Sequence, residues 1–278
     1  MVEGFGVRLS ERIRALGPLC VGIDPSPHVL SSWGREDSAE DLEYCARAAL
    51  AAVEGVAAVV KAQVSYFERF GSVGYRALER LISDAREADV IFIADAKRAD
   101  IGSTNEGYAS AWLDPQSPLG VDALTVNPYL GVGALEPLFD LATRNARGVF
   151  VVAATSNDEG RAIQSARLMG GEMVQDFVLR QIAERNEIND ARGSVGAVVG
   201  ATRDRPDFDL GLLGGPVLVP GVGFQGATSD DVARLCQRCA PASVLVNVGR
   251  ALLAAGPDRR SLRDSAQRWR DELSAALV

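Results

Sequence analysis

Short apolar runs rich in β-branched residues recur along the chain: Leu19 to Ile23, Ala57 to Val60, Val90 to Ile93, Ala123 to Val126, Gly148 to Ala153, Val195 to Val199, Val217 to Val219 and Val244 to Val246. Their near-continuous hydrophobicity predicts parallel strands covered on both faces. Between them, stretches such as Ala39 to Ala52, Tyr75 to Ala85, Gly171 to Ile188 and Asp230 to Ala240 space apolar residues as helices do. Eight strand candidates alternating with helix candidates predict an α/β fold, a closed (β/α)8 TIM barrel rather than an open sheet. The closing stretch, Asp258 to Leu277, reads as an amphipathic helix burying Leu262, Trp269, Leu273 and Leu277. Two irregular stretches, 156–171 and 203–216, follow strand candidates and are expected at the barrel mouth, where active-site loops belong.

No linker rich in Pro, Gly or Ser and no repeat beyond the β/α rhythm divides the chain, so residues 1–278 read as one domain. A length of 278 residues suits that reading, since such barrels run to about 250. With 47% hydrophobic and 24% charged residues the composition is that of a globular enzyme. A net charge of −8 argues against nucleic acid or an anionic membrane as partner, while leaving room for a small anionic ligand. Four dispersed cysteines fit a reducing cytoplasm better than a disulfide framework. Cys236 and Cys239 have zinc-knuckle spacing but no second pair, and the one histidine, His28, is remote, so no metal is expected. The first residues carry charges throughout, with no signal-peptide core, and no apolar run is long enough to span a membrane.

Polar residues stand where the apolar runs stop: Asp24, Lys61, Asp95 with Lys97, Asn127, Thr155 with Ser156, and Arg250. In a barrel these converge on one rim. Alternation along a strand puts Ile91, Ile93, Asp95 and Lys97 on one face, with Asp100 three residues on in the loop. Carboxylates beside an ammonium favour its charged form, which makes Lys97 an acid rather than a Schiff-base nucleophile. Lys61 acts on Lys97 in the opposite sense, so charge counting alone leaves an aldolase open. A purely structural ion-pair network is the plainer alternative, but burying four charged groups at apolar strand ends costs several kcal/mol.

After the last two strand candidates come Pro220-Gly221-Val222-Gly223-Phe224-Gln225-Gly226 and Asn247-Val248-Gly249-Arg250. Barrels of this type commonly bind phosphate there, and glycine amides, Gln225 and the Arg250 fork are suitable donors.

The run Phe92-Ile93-Ala94-Asp95-Ala96-Lys97-Arg98-Ala99-Asp100-Ile101-Gly102-Ser103-Thr104 resembles the DxKxxD signature of the orotidine 5′-phosphate decarboxylase family. Phe5 to Leu9, Val21 to Pro25, Val60-Lys61, Asn127 to Gly131, Thr155 to Asn157, Pro220 to Gly226 and Asn247 to Arg250 extend the resemblance, to that family's longer bacterial form, over essentially the whole chain. DxKxxD is shared with magnesium-dependent 3-keto-L-gulonate 6-phosphate decarboxylase, but those relatives carry a glutamate where this chain has Lys61. The resemblance implies cofactor-free decarboxylation of orotidine 5′-monophosphate to UMP and CO2, the last step of de novo pyrimidine synthesis. It further implies that Asp95 faces the substrate carboxylate, Lys97 protonates C6, and Lys61 neutralises the carboxylates. Asp24 resembles the ribose ligand. Asp100, Ile101 and Thr104 resemble the set that a homodimer contributes across its interface. Ser156 resembles the pyrimidine contact, and Gln225, Gly249 and Arg250 the phosphate grip, with the 203–226 region closing over the ligand. Phe224 stands where a smaller residue is expected, and Ala227 where a further glycine is. A magnesium-dependent sugar-phosphate decarboxylase and a non-catalytic phosphate-binding barrel are the rival readings.

Overall fold

The computed structural model describes residues 3–188, 193–201 and 206–277. Its strands are β1 (Leu19–Ile23), β2 (Val59–Gln63), β3 (Ile91–Arg98), β4 (Ala123–Val126), β5 (Gly148–Ala154), β6 (Val195–Val199), β7 (Val217–Val219) and β8 (Val244–Val248). All pair in parallel in sequence order, and β8 returns to β1 through Leu19 opposite Val246, closing the barrel. The expected (β/α)8 architecture is therefore present, with each apolar run lying in or against its strand.

The helices used below are α1 (Phe5–Leu16), α2 (Ala39–Val53), α3 (Gly71–Glu87), α4 (Gly102–Leu113), α5 (Glu136–Arg144), α6 (Val174–Ile188), α7 (Ser229–Leu235) and α8 (Arg259–Ala276). Side-chain oxygens satisfy the free N–H groups at several starts: Ser38 caps α2, Thr228 and Asp231 form a capping box on α7, and Asp258 caps α8. The helix read as Asp230 to Ala240 stops at Leu235. Pro241 disfavours helical backbone at Ala240, which is extended at ψ 131 to lead towards β8.

Apolar side chains form two layers. Leu19, Val21, Val60, Phe92, Leu124, Val149 and their neighbours face outward beneath the helices. Cys20, Val59, Ile91, Ile93, Ala123, Phe150, Val198, Leu218 and Leu245 fill the barrel interior. Helix α1 closes the bottom by inserting Phe5, Leu9 and Ile13. The Phe5 ring stands edge-on to Phe150, centroids 6.1 Å apart and planes at 88°. A Cβ on Gly148 would lie 2.3 Å from that ring, so the first residue of β5 must be glycine for the plug to seat.

The 156–171 stretch lies at the mouth, as expected, and includes short helical turns at Asp158–Gly160 and Arg161–Gln164. The 203–216 stretch differs. Residues 203–205 lie outside the described residues, and the remainder descends the outside of the barrel instead of covering the mouth. Gly215 packs on the Val195 carbonyl at the start of β6, and Leu210, Gly214 and Pro216 share a surface hollow with Gly6 and Val7 of the bottom plug. Its geometry follows from its task, which is to return the chain to the lower end of β7.

Candidate active site

A cavity of about 460 Å³ opens at the C-terminal ends of the strands. Of the expected site residues, Asp24, Lys61, Asp95, Lys97, Ser156, Gln225, Gly249 and Arg250 line it. Lys61, in the middle of β2, is only 3% exposed, and Asp95 on the neighbouring β3 is 9% exposed. Lys61 Nζ donates to Asp95 Oδ2 at 2.9 Å, and Lys97 Nζ donates to Asp95 Oδ1 at 2.5 Å. Burial works to lower the Lys61 ammonium, but the Asp95 and Asp24 carboxylates outweigh it and hold Lys61 above its ordinary range. Burial likewise opposes the Asp95 carboxylate, yet Lys61 and Lys97 together hold it far below the usual value. Both groups are thus charged at neutral pH, whereas the Lys97 side chain, 46% exposed, reaches into the cavity.

Asp24, just after β1, has a different balance. Burial raises its carboxyl despite the nearby Lys61, and its buried Oδ1 has no hydrogen-bond partner among the described residues. An uncompensated acceptor in a cavity wall suits a ligand hydroxyl. Beneath it, burial pushes the Cys20 thiol up to about 12, leaving it an inert packing group.

Across the mouth, Ser156 Oγ donates to Gln225 Oε1 at 3.0 Å. Positive φ at Gly221, Gly223 and Gly226 shapes the Pro220–Gly226 loop around Gln225. Ala227, the unexpected neighbour of Gly226, is buried and bridges to Val222, so the loop closes without another glycine. Gly22 and Gly249 bring β1 and the end of β8 into close approach. A Cβ on Gly22 would meet the Gly249 backbone at 2.8 Å, and one on Gly249 would meet Asp24 Oδ2 at 2.7 Å.

Other expectations need correction. Asn127 does not join the pocket; it is exposed, and its Oδ1 accepts from the Tyr129 N–H. Simple alternation does not carry Lys97 to the mouth either, because the β3–β4 register shifts between Ala94 and Arg98 and Lys97 adopts φ 48°. Asp100, Ile101 and Thr104 lie outside their own chain's cavity, so Asp100 is not part of the ion cluster formed by Lys61, Asp95 and Lys97. Asp100 Oδ1 instead accepts from the Ile101 N–H. The buried Asn105 amide binds the Asp100 carbonyl at 2.5 Å and the Ala134 carbonyl at 2.6 Å, tying the loop after β3 to the one after β4. These two loops expose Ile101 at 61% and Tyr129 at 74%. Sequence reading missed Thr125 and the apolar wall of Val152, Val198 and Leu218, all of which line the cavity, as does Asn247 from the expected Asn247–Arg250 segment.

A closed parallel barrel with paired charges deep in the pocket at its strand ends defines the protein's class: a TIM-barrel enzyme built to act on a small polar molecule. The chain belongs to the orotidine 5′-phosphate decarboxylase / HUMPS family, whose model matches residues 17–264. It is 48% identical over 277 residues to an orotidine 5′-phosphate decarboxylase of Salinispora arenicola, covering 100% of this chain and 99% of that one. Identity to the enzyme of that name from Corynebacterium glutamicum is 45% over 94% of each chain. A crystal structure described as orotidine 5′-phosphate decarboxylase from Streptomyces avermitilis superposes with a TM-score of 0.93, at 44% identity, covering 99% of this chain and 96% of the other.

Proposed function

We propose that the chain decarboxylates orotidine 5′-monophosphate to UMP, the closing step of pyrimidine nucleotide synthesis, with Lys97 as the proton donor. The observation that carries this reading is the double engagement of Asp95, whose two oxygens each hold a different ammonium. A substrate carboxylate brought beside Asp95 meets a group that two lysines keep anionic against the effect of burial, so loss of CO2 relieves a like-charge contact. The C6–carboxyl bond breaks, its electron pair stays on C6, and a proton from Lys97 Nζ forms the new C–H bond. Val152, Val198 and Leu218 offer an apolar wall that suits neutral CO2 better than the carboxylate it came from.

Asp24 serves the ribose hydroxyls through its unpartnered oxygen. Ser156 and Gln225 meet the pyrimidine and the phosphate, while Arg250 and the Gly249 amide complete the anion grip. Among the described residues of the 203–226 region, closure over the ligand is assigned to the Pro220–Gly226 loop, since 206–216 runs down the barrel's outside. A homodimer pairing the surface of Ile101, Tyr129 and Leu130 brings Asp100, Ile101 and Thr104 to the neighbouring cavity. Among the described residues the four cysteines form no disulfide, which suits a reducing cytoplasm. Among the described residues no helix is long and apolar enough to cross a membrane.

The test is the fall in ultraviolet absorbance of orotidine 5′-monophosphate with EDTA-treated enzyme beside Lys97→Ala. Turnover by the parent and none by the variant supports both reaction and acid. A folded but inactive parent overturns the reading, and activity restored by magnesium transfers it to the metal-dependent branch of the family.

A further inference from the structure

Strand β4 alternates, with Ala123 and Thr125 turned into the barrel and Leu124 and Val126 turned out beneath the helices. Thr125 is 1% exposed, yet its hydroxyl is fully used. It donates to Asp95 Oδ1 at 2.8 Å and accepts from the Lys97 N–H at 3.0 Å. A hydroxyl has one proton to give, so this pairing fixes its orientation. Because Lys97 Nζ also reaches Asp95 Oδ1, the three residues form a closed ring: ammonium to carboxylate, carboxylate to hydroxyl, hydroxyl to the lysine's own main chain.

The ring sits where the β3–β4 register shifts between Ala94 and Arg98. There the ladder no longer determines the backbone, and Lys97 takes a positive φ that non-glycine residues adopt only where their surroundings impose it. Beyond Lys97, Arg98 is anchored by its ion pair with Glu68 and its position over the Tyr108 and Trp112 rings. On the other side Asp95 is held by Lys61. The Arg98 guanidinium donates to the Ala96 carbonyl at 3.1 Å, and Thr125 holds the N–H side of that peptide between these two anchors.

We propose that Thr125 is a positioning residue, which holds Lys97 in its left-handed backbone conformation and orients Asp95 Oδ1, so that the ammonium is aimed before substrate arrives. This role rests on the reading of Lys97 as proton donor. A valine of the same shape leaves the Lys97 N–H without its acceptor and withdraws one donor from Asp95. Serine keeps both bonds.

The test compares the parent with Thr125→Val and Thr125→Ser in steady-state turnover of orotidine 5′-monophosphate and in calorimetric titration with UMP. The valine variant is expected to lower kcat roughly 10- to 100-fold, as for loss of one hydrogen bond to a charged group. KM and UMP affinity should stay within about twofold of the parent, because ground-state binding does not use the contact. Serine should recover most of the lost kcat, and Thr125→Ala, which lacks the hydroxyl and adds no bulk, should repeat the valine result. Parental kcat in the valine and alanine variants overturns the proposal, as does an equal loss in the serine variant or a matching loss of UMP affinity. The parent's own turnover separates the two failures: an inactive parent overturns the decarboxylase reading and this role with it, an active parent beside unchanged variants overturns this role alone.

Discussion

The Arg250 guanidinium lies 3.6 Å from the centre of the Phe224 ring. Phe224 is exposed and stands at the loop position where the sequence led us to expect a smaller side chain. The ring gives the cation a face to rest on, so the fork is held at the cavity edge instead of sampling solvent. Phe224→Ala is predicted to raise KM for the phosphorylated substrate about two- to fivefold with little change in kcat, the worth of an exposed cation–π contact. Steady-state kinetics checks this; an unchanged KM would show that the stacking contributes nothing to binding.

Arg250→Ala should lose most of its rate on orotidine 5′-monophosphate yet little on the phosphate-free nucleoside, because the nucleoside lacks the phosphate that the side chain binds, for parent and variant alike. Equal losses on the two substrates would remove Arg250 from the phosphate site.

Asp24→Asn should stabilise the free protein at neutral pH while lowering substrate affinity. The folded-state value of Asp24 lies above its unfolded one. At pH below the unfolded carboxylate value both states are protonated and the parent carries no penalty. As pH rises through that value and then the raised folded one, the folded state must ionise against burial, and the parent loses stability relative to the neutral variant. Thermal melts of the pair should therefore coincide near pH 3 and separate towards pH 7, given ~3.9 for a free aspartate. Parallel curves would contradict the assignment.

Lys97→Ala and Asp100→Asn variants, each nearly inactive alone, should regain activity when mixed and allowed to exchange subunits. A two-fold dimer with shared sites gives each mixed dimer one intact cavity, so equal amounts should recover about a quarter of parental activity. No recovery despite demonstrated exchange would place Asp100 outside the neighbouring site.

Phe5→Ala removes the plug ring that meets Phe150 and should cost about 3–5 kcal/mol of stability, the range for truncating a buried aromatic. Because the plug and the cavity occupy opposite ends of the barrel, kcat at a temperature where the variant stays folded should match the parent. Denaturant melts and kinetics on the same samples check both halves.

The strand runs were legible because parallel barrel strands are buried on both faces and show as unbroken apolar patches. Their upper ends were not. β2 continues through Lys61 to Gln63 and β3 through Asp95 to Arg98, since backbone pairing persists where the side chains turn polar for function. Hydropathy therefore places a strand end several residues too early where the chemistry begins. The plug α1 carried a readable signal in Phe5, Leu9 and Ile13, which share one helical face. Thr125 carried none, because a β-branched residue in an apolar run is what any strand contains, and its neighbours Asp95 and Lys97 come from another strand. The site residues of β1, β2, β3 and β8 were found where polar residues stop an apolar run. Asn127 fits the same pattern but turns its side chain back onto its own loop.

The two glycines that bring β1 against the end of β8 leave no slack between Asp24 and the Gly249–Arg250 peptide. On the proposed roles, with the sugar at Asp24 and the phosphate at Gly249–Arg250, the seam would work as a gauge of fixed length. If those roles hold, selection for the 5′ ester follows from the barrel's closure, and a nucleotide phosphorylated at the 2′ or 3′ oxygen is expected to bind less well.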